Sequence, residues 1–271
     1  MKGSIQALWY VGAGRAELRP EHAAEPAASE VRVRALFGAI SRGTERLVFQ
    51  GRVPPSQYQR MRAPQMGGVF PFPAKYGYAA VGRVEQGPPA LQGQIVFALH
   101  PHQSVFTVAA EAAVPVPRQV PPARAVLAAN METALNAVWD ARPGPADRIV
   151  VVGGGVVGLL AARLCARIPG AEVTVVDVAP ARAELARALG ARFAAPQTAP
   201  EGCDLVFHAS ATPAGLATAG LSFSRTSGSF IVAPPIRCAW IQNLSCEIRN
   251  HCRKFNSNEP NNSQEPLRLF P

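Results

Sequence analysis

The apolar and polar positions change character part-way along the chain. Between Ile5 and Ala109 the apolar stretches are short. Ile5–Tyr10, Glu30–Phe37, Tyr78–Val84, Gln94–Leu99 and Phe106–Ala109 alternate or run apolar, and Gly-Pro and Pro-His turns separate the later ones. Closely spaced short strands with turn residues between them predict a small β-barrel. The stretch Gln50–Phe72 holds Pro54-Pro55, Pro64, Gly67-Gly68 and Pro71, so it reads as a loop with short turns. Pro115–Pro122 reads as a linker.

From Ala123 the period lengthens. Ala123–Ala141 is Ala-rich, spaces Val126, Leu127, Met131, Leu135 and Val138 as a helix does, and stops before Pro143-Gly144. Ile149–Val152 reads as a buried strand, Val156–Arg167 as a helix and Val173–Val176 as a second strand. Pro180–Leu189 reads as a helix capped by Gly190. Phe193 marks a short third strand, Leu205–His208 a fourth, and Pro213–Ala219 begins another helix. Strands alternating with helices predict parallel βαβ units. The expected fold class is α/β, with residues 1–122 β-rich and residues 123–220 a parallel sheet.

A discontinuity follows Gly220. Asparagine, held to Asn130 and Asn136 before it, recurs at Asn243, Asn250, Asn256, Asn258, Asn261 and Asn262, and alanine falls away. Residues 221–271 are therefore read separately. Ser229–Val232 is short, apolar and bounded by Gly228 and Pro234-Pro235, which suits a fifth strand. No sixth strand is evident, and Asn256–Pro271 has the composition of a disordered tail.

Of the 271 residues 48% are hydrophobic and 17% charged, which excludes wholesale disorder. No apolar run reaches the ~18 residues of a membrane span, since four glycines break the longest at Ile149–Leu160. The N-terminus lacks the basic-apolar-small pattern of a signal peptide, so the expected location is cytoplasmic. The net charge of +9 is carried by scattered arginines, with lysine only at Lys2, Lys75 and Lys254. Such dispersal argues against a nucleic-acid partner. Five cysteines, an odd count without a CxxC pair, argue against a disulfide framework and against a metal site at Cys238, Cys246, His251 and Cys252.

One motif carries chemistry. Gly153-Gly154-Gly155-Val156-Val157-Gly158 satisfies GxGxxG directly after Val150-Val151-Val152 and opens a predicted helix. Gly153 permits the tight turn, Gly155 lets backbone approach a pyrophosphate, and Gly158 allows close helix–strand packing. The helix N-terminus then faces the phosphates. Asp177 ends the next strand about 20 residues on, where a carboxylate accepts hydrogen bonds from the adenosine ribose and repels a 2′-phosphate. That favours NAD over NADP. Arg182 is the counter-signal, because a nearby arginine can pair with such a phosphate. Val157, within the motif, and Ser210, after the fourth strand, complete the candidate cofactor set from this half.

The ordered combination of VRVRALFGAISRGTE (Val31–Glu45), KYGYAAVGRV (Lys75–Val84), AANMETALNAVW (Ala128–Trp139) and Ile149–Gly158 resembles the medium-chain dehydrogenase/reductase superfamily, the alcohol dehydrogenase-like proteins. The resemblance spans roughly residues 4–220. It implies a GroES-like β-barrel substrate domain followed by a Rossmann parallel sheet, here incomplete. It also implies a nicotinamide cofactor and hydride transfer involving an alcohol or carbonyl substrate. The Ser-Arg-Gly-Thr-Glu and Lys-Tyr-Gly-Tyr wording is similar to a zinc-lacking branch that includes relatives of bacteriochlorophyllide dehydrogenases.

The departures from zinc-dependent members are specific. Their Cys-Gly-Thr-Asp type motif reads Ser41-Arg42-Gly43-Thr44-Glu45 here, so the cysteine position holds Ser41 or Arg42; their Gly-His-Glu reads Gly77-Tyr78-Ala79, with Tyr78 in the histidine position, and the third ligand position falls near Ala129. None is a good zinc ligand. The four-cysteine structural lobe is replaced by His100-Pro101-His102-Gln103, read as a surface loop. No zinc is expected.

Without zinc, other groups must polarise the substrate oxygen. Thr44 matches the family's proton-relay hydroxyl. Tyr78 stands where a ligand would face the cleft, and its hydroxyl can donate to a developing alkoxide. Glu45 orients neighbours or acts as a base. Thr133 matches the position that touches the nicotinamide in relatives, with Met131 lining the same pocket. The expected partner is a small alcohol or carbonyl compound. The simplest account of residues 221–271 is a truncated or frame-disrupted dehydrogenase, so a catalytically impaired remnant that at most binds nucleotide is the competing reading.

Overall fold

In the computed structural model, residues 4–22 and 24–222 are described in full and residues 229–232 by their backbone. All lie within one unit, Met1–Arg237. The chain opens with β1 (Ile5–Gly12) and β2 (Arg15–Glu21), followed by β3 (Glu30–Gly38) and a six-residue helix, α1 (Thr44–Phe49). Two two-residue strands come next, β4 (Gly67–Gly68) and β5 (Ala74–Lys75). Then follow β6 (Ala80–Gln86), β7 (Ile95–Ala98), β8 (Val105–Ala109) and β9 (Val114–Pro115).

These strands form two antiparallel sheets, ordered β2-β1-β5-β4 and β8-β3-β6-β7-β9. The sheets are stitched where Leu8 donates to the His102 carbonyl (2.9 Å) and Ser104 donates to that of Gln6 (2.9 Å). Val31, Val33, Ala80, Val84, Val96, Ala98, Phe106 and Val108 alternate inward and form one core.

The second half runs α2 (Pro122–Ala125), α3 (Ala128–Ala141), β10 (Arg148–Val152), α4 (Val156–Cys165), β11 (Glu172–Val176), α5 (Ala183–Ala188), β12 (Arg192–Ala194), β13 (Leu205–His208), α6 (Pro213–Ser222) and β14 (Ser229–Val232). Its sheet is parallel, in the order β12-β11-β10-β13-β14. A parallel sheet is covered on both faces, which explains the continuous apolar runs. Ile149, Val151, Val173, Val175, Leu205 and Phe207 pack with Leu159, Ala162 and Cys165 of α4 on one face. Val150, Val152, Val176 and Val206 pack with Ala219 of α6 on the other. The connection from β12 crosses back over β11 and β10 to β13, so the strand order reverses between β10 and β13, beside the head of α4.

The mixed α/β fold and the fifth parallel strand at Ser229–Val232 match the sequence reading. Four details differ. The helix expected over Ala123–Ala141 breaks into α2 and α3, because Leu127 donates three residues back to Arg124 while its own carbonyl restarts the ladder at Met131. The helix expected over Pro180–Leu189 begins as a 3-10 turn, with Arg182 donating to Ala179. The strand expected from Tyr78 begins at Ala80, since Gly77 turns the backbone to φ +140°. His100 and His102 are not surface residues: His100 is 5% exposed and stacks on Phe106 at 4.1 Å. The expectations for Cys238, Cys246, His251, Cys252 and Asn256–Pro271 fall outside the described residues.

Candidate functional site

The glycine turn behaves as a built cradle. Gly153 adopts φ +111°, and a Cβ there would lie 2.6 Å from the Ser210 amide nitrogen. A Cβ on Gly158 would lie 2.0 Å from the Gly153 carbonyl oxygen, so only glycine lets α4 press against the turn. Gly155 differs, because a Cβ there would meet nothing within 4 Å. It precedes Val156 and Val157 at the open head of α4, a ten-residue helix whose first amides lack intrahelical acceptors.

Asp177 closes the cradle from the end of β11. Its Oδ2 accepts from the Gly154 amide at 2.6 Å and its Oδ1 from the Ala179 amide at 2.8 Å. The carboxylate therefore fixes the middle of the glycine turn. Arg182 is half-buried, ends the 3-10 turn that follows β11, and forms no hydrogen bond or ion pair with Asp177 among the described residues. Ser210 reaches the cradle through its backbone. Its hydroxyl instead meets His208 Nε2 at 2.8 Å and Thr212 Oγ1 at 3.2 Å, while Thr212 Oγ1 accepts from the Gly215 amide and caps α6. Burial lowers the His208 pKa, which favours the neutral ring beside Ser210. Thr133 turns its hydroxyl back onto the Ala129 carbonyl at 3.1 Å, and it and Met131 are half-buried on α3.

The barrel half brings a second cluster together. Glu45, in the first turn of α1, is 1% exposed. Its Oε2 accepts from the Tyr10 hydroxyl at 2.8 Å and lies 2.8 Å from His102 Nε2, and its Oε1 accepts from the Ser41 amide at 2.8 Å. β1, α1 and the β7–β8 connection are thus tied at one carboxylate. Burial and the Glu45 charge push the Tyr10 hydroxyl far above its usual pKa, so it stays a donor. Thr44 is buried beside Glu45, and its amide donates to Ser41 Oγ at 3.3 Å. Tyr78 is buried in the extended β5–β6 connection, edge-on to Tyr76 with ring centroids 6.3 Å apart. Tyr76 in turn donates to the Met61 carbonyl at 2.8 Å.

The three sequence candidates of this half, Thr44, Glu45 and Tyr78, are all buried in the barrel half. Tyr10 and His102 were missed. Tyr10 reads as one more apolar strand residue, and His102 as part of a Pro-flanked loop. Gly38 and Gly77 carried the only signal: a Cβ on Gly77 would lie 2.9 Å from the His102 ring, and one on Gly38 3.2 Å from Nδ1.

A family model for the alanine dehydrogenase/PNT C-terminal domain matches residues 128–226. Among solved structures, L-idonate 5-dehydrogenase from Escherichia coli K-12 MG1655 aligns with a TM-score of 0.70 at 17% identity, covering 86% of this chain and 76% of that one. Benzyl alcohol dehydrogenase from Acinetobacter calcoaceticus aligns with a TM-score of 0.69 at 18% identity, covering 87% and 78%. A protein described as a short chain alcohol dehydrogenase, from Escherichia coli CFT073 and complexed with NADH, aligns with a TM-score of 0.65 at 18% identity, covering 84% and 80%. No curated protein matches the chain.

The chain has the medium-chain dehydrogenase fold.

Members with a catalytic zinc offer it thiolate, imidazole or carboxylate ligands, and the corresponding positions here do not fit that ion. Of the two candidates for the first position, Ser41 caps the turn before α1 and Arg42 carries a cation; Tyr78 packs against Tyr76, and Ala129 is buried in α3. Among the described residues no group of three or more His, Cys, Asp and Glu side chains is placed to hold a metal ion. Cys165 and Cys203, the described free cysteines, are buried in the α/β half of this medium-chain dehydrogenase fold. The glycine cradle, by contrast, fits a dinucleotide: its one unobstructed glycine lies at the head of α4, where a pyrophosphate would approach. Among the described residues no helix is long and apolar enough to cross a membrane.

Proposed function

We propose that the chain is a nicotinamide-dependent oxidoreductase that acts on an alcohol or carbonyl compound without zinc. The observation that carries this reading is the Gly153–Gly158 cradle at the head of α4, with Asp177 bonded to its middle glycine. Residues 123–220 hold the nucleotide and residues 1–122 the substrate. The Gly155 backbone and the α4 amides, including Val157, receive the pyrophosphate. Asp177 accepts the ribose hydroxyls and selects NAD over NADP, and Arg182 stands outside that contact. Thr133 and Met131 flank the nicotinamide, and Ser210 supports the cradle wall.

When bound, the nicotinamide ring supplies or receives a hydride. The chain's own residues hold and polarise the reacting oxygen. Thr44 hydrogen-bonds it and Tyr78 donates to it as charge develops, the role a metal would otherwise fill. Glu45 is the residue that orients this group. Its three donors leave it a poor free base, and the hydrogen bond it accepts from the Ser41 amide fixes the turn that carries Thr44.

The test is a fluorescence titration of purified full-length protein with NADH and NADPH, followed by a turnover screen on primary and secondary alcohols and aldehydes. Saturable NADH binding with NAD-linked turnover supports the reading. Binding that is undetectable for both nucleotides would overturn it.

A further inference from the structure

The contact between Glu45 and His102 leaves one ring nitrogen uncommitted. Glu45 already accepts from the Tyr10 hydroxyl and the Ser41 amide, so its carboxylate faces His102 Nε2 as a third acceptor contact at 2.8 Å. A carboxylate can only accept, which makes Nε2 the protonated nitrogen of the neutral ring and Nδ1 the one with the lone pair. The ring is clasped by glycines. A Cβ at Gly77 would lie 2.9 Å from Cδ2 and Nε2, and a Cβ at Gly38 would lie 3.2 Å from Nδ1. Gly38 itself is exposed at the end of β3, flanked by exposed Phe37 (43%) and Ile40 (64%). The His102 side chain keeps 15% of its surface while Glu45 keeps 1%. Nδ1 accepts no hydrogen bond from the described residues. The lone-pair nitrogen thus faces the Gly38 backbone, at a strand end flanked by exposed apolar residues, with its tautomer fixed from behind.

We propose that Glu45 and His102 form a carboxylate–imidazole dyad in which Nδ1 of His102 takes the hydroxyl proton of an apolar alcohol substrate, and gives it back in the reverse direction. The inference rests on the oxidoreductase reading above. In the oxidation direction the O–H bond breaks and its proton goes to Nδ1. The C–H electron pair leaves with its hydrogen as hydride to the oxidised nicotinamide, and the C–O single bond becomes C=O. The imidazolium then releases its proton to water. His102 is the proton-accepting residue and Glu45 a positioning residue. Glu45 sets the tautomer and stabilises the charge that forms on the ring, as a buried carboxylate does behind a catalytic histidine.

Histidine-selective 15N spectra of full-length protein test the tautomer without any substrate. The expected result is His102 as the Nε2–H form with a bare Nδ1 near neutral pH, and a mixed population in Glu45→Gln. An Nδ1–H form, or a ring doubly protonated throughout the neutral range, overturns the dyad. His102→Gln is then expected to keep NADH affinity and lower kcat by about 100-fold or more on every alcohol the wild type oxidises, with KM changing less. Unchanged kcat overturns the proposal. If either variant fails to fold, Glu45→Asp replaces it: withdrawing the carboxylate by one methylene should mix the tautomers and slow turnover together. Loss of NADH binding in the wild type would instead sink the oxidoreductase reading, and it is visible in the titration alone.

Discussion

Two alanine substitutions three residues apart separate packing from binding. At Gly158 a Cβ would stand 2.0 Å from the Gly153 carbonyl oxygen, 3.2 Å from its carbonyl carbon and 3.3 Å from a Val151 methyl. Relief requires a displacement of about 1 Å, and backbone on both sides must supply it. Overpacking of this kind costs about 1–3 kcal/mol, and backbone rigidity places Gly158→Ala at the upper end. For a unit of this size each kcal/mol lowers Tm by roughly 2–4 °C, so a fall of about 6–12 °C is expected. At Gly155, φ is −75° and a Cβ would meet nothing within 4 Å. Gly155→Ala should therefore leave Tm within about 2 °C, or raise it slightly through a less flexible unfolded chain. The same Cβ enters the space assigned to the pyrophosphate, so Kd for NADH should rise about tenfold or more, roughly 1.4 kcal/mol. Calorimetry and NADH fluorescence titration on the two variants read both effects. An unchanged NADH affinity in Gly155→Ala would refute the phosphate assignment. An unchanged Tm in Gly158→Ala would refute the helix-packing argument.

Three further outcomes are expected. NADH should bind more tightly than NADPH, and Asp177→Ala should narrow the gap; equal affinities in the wild type would shift attention to Arg182. Elemental analysis should find well under one zinc per chain and chelators should leave turnover unchanged, whereas stoichiometric zinc would contradict the donor-set argument. Burial holds the His100 pKa at about 4 against an ordinary 6.5, so between those values the unfolded chain binds the extra proton. Stability should fall as pH drops from about 6.5 to about 4, by up to roughly 3 kcal/mol. His100→Phe, which keeps a ring against Phe106, should flatten that part of the profile, and an equally steep loss in the variant would refute the assignment.

The α/β half was legible because its signals are local. Val150–Val152 runs apolar, the glycines follow at fixed spacing, and Gly190 turns to φ +91° where a helix stop was read. The barrel half hid five elements: the two-residue strands β4, β5 and β9, too short to carry a pattern, and the longer β2 and α1. β2 (RAELRPE) is an edge strand with no fully buried residue, held by pairing with β1, and Leu18 on it is 70% exposed. An exposed edge needs no apolar alternation, so no period marks it. α1 carries Leu47-Val48-Phe49 in succession, which has no helical period over six residues. Thr44, Glu45 and Tyr78 were found by their place in a motif, but motif position says nothing of partners. Tyr10 and His102 come to Glu45 from 35 and 57 residues away, a distance that only the packing of the two antiparallel sheets removes.

That dependence on distant partners bears on how Thr44 is held. A six-residue helix is far below the length at which backbone hydrogen bonding sustains itself in water, so α1 contributes little rigidity of its own. Nor does a side chain cap it at Gly43. What remains is tertiary. The Glu45 carboxylate grips the Ser41 amide, Ser41 Oγ receives the Thr44 amide, and Glu45 is itself gripped by Tyr10 and His102. A buried carboxylate that loses one donor keeps the full cost of its burial, about 1–3 kcal/mol per missing bond. The site's geometry and the barrel's stability therefore share the same few bonds. Residues that a sequence comparison would class as packing, Tyr10 above all, set where Thr44 presents its hydroxyl.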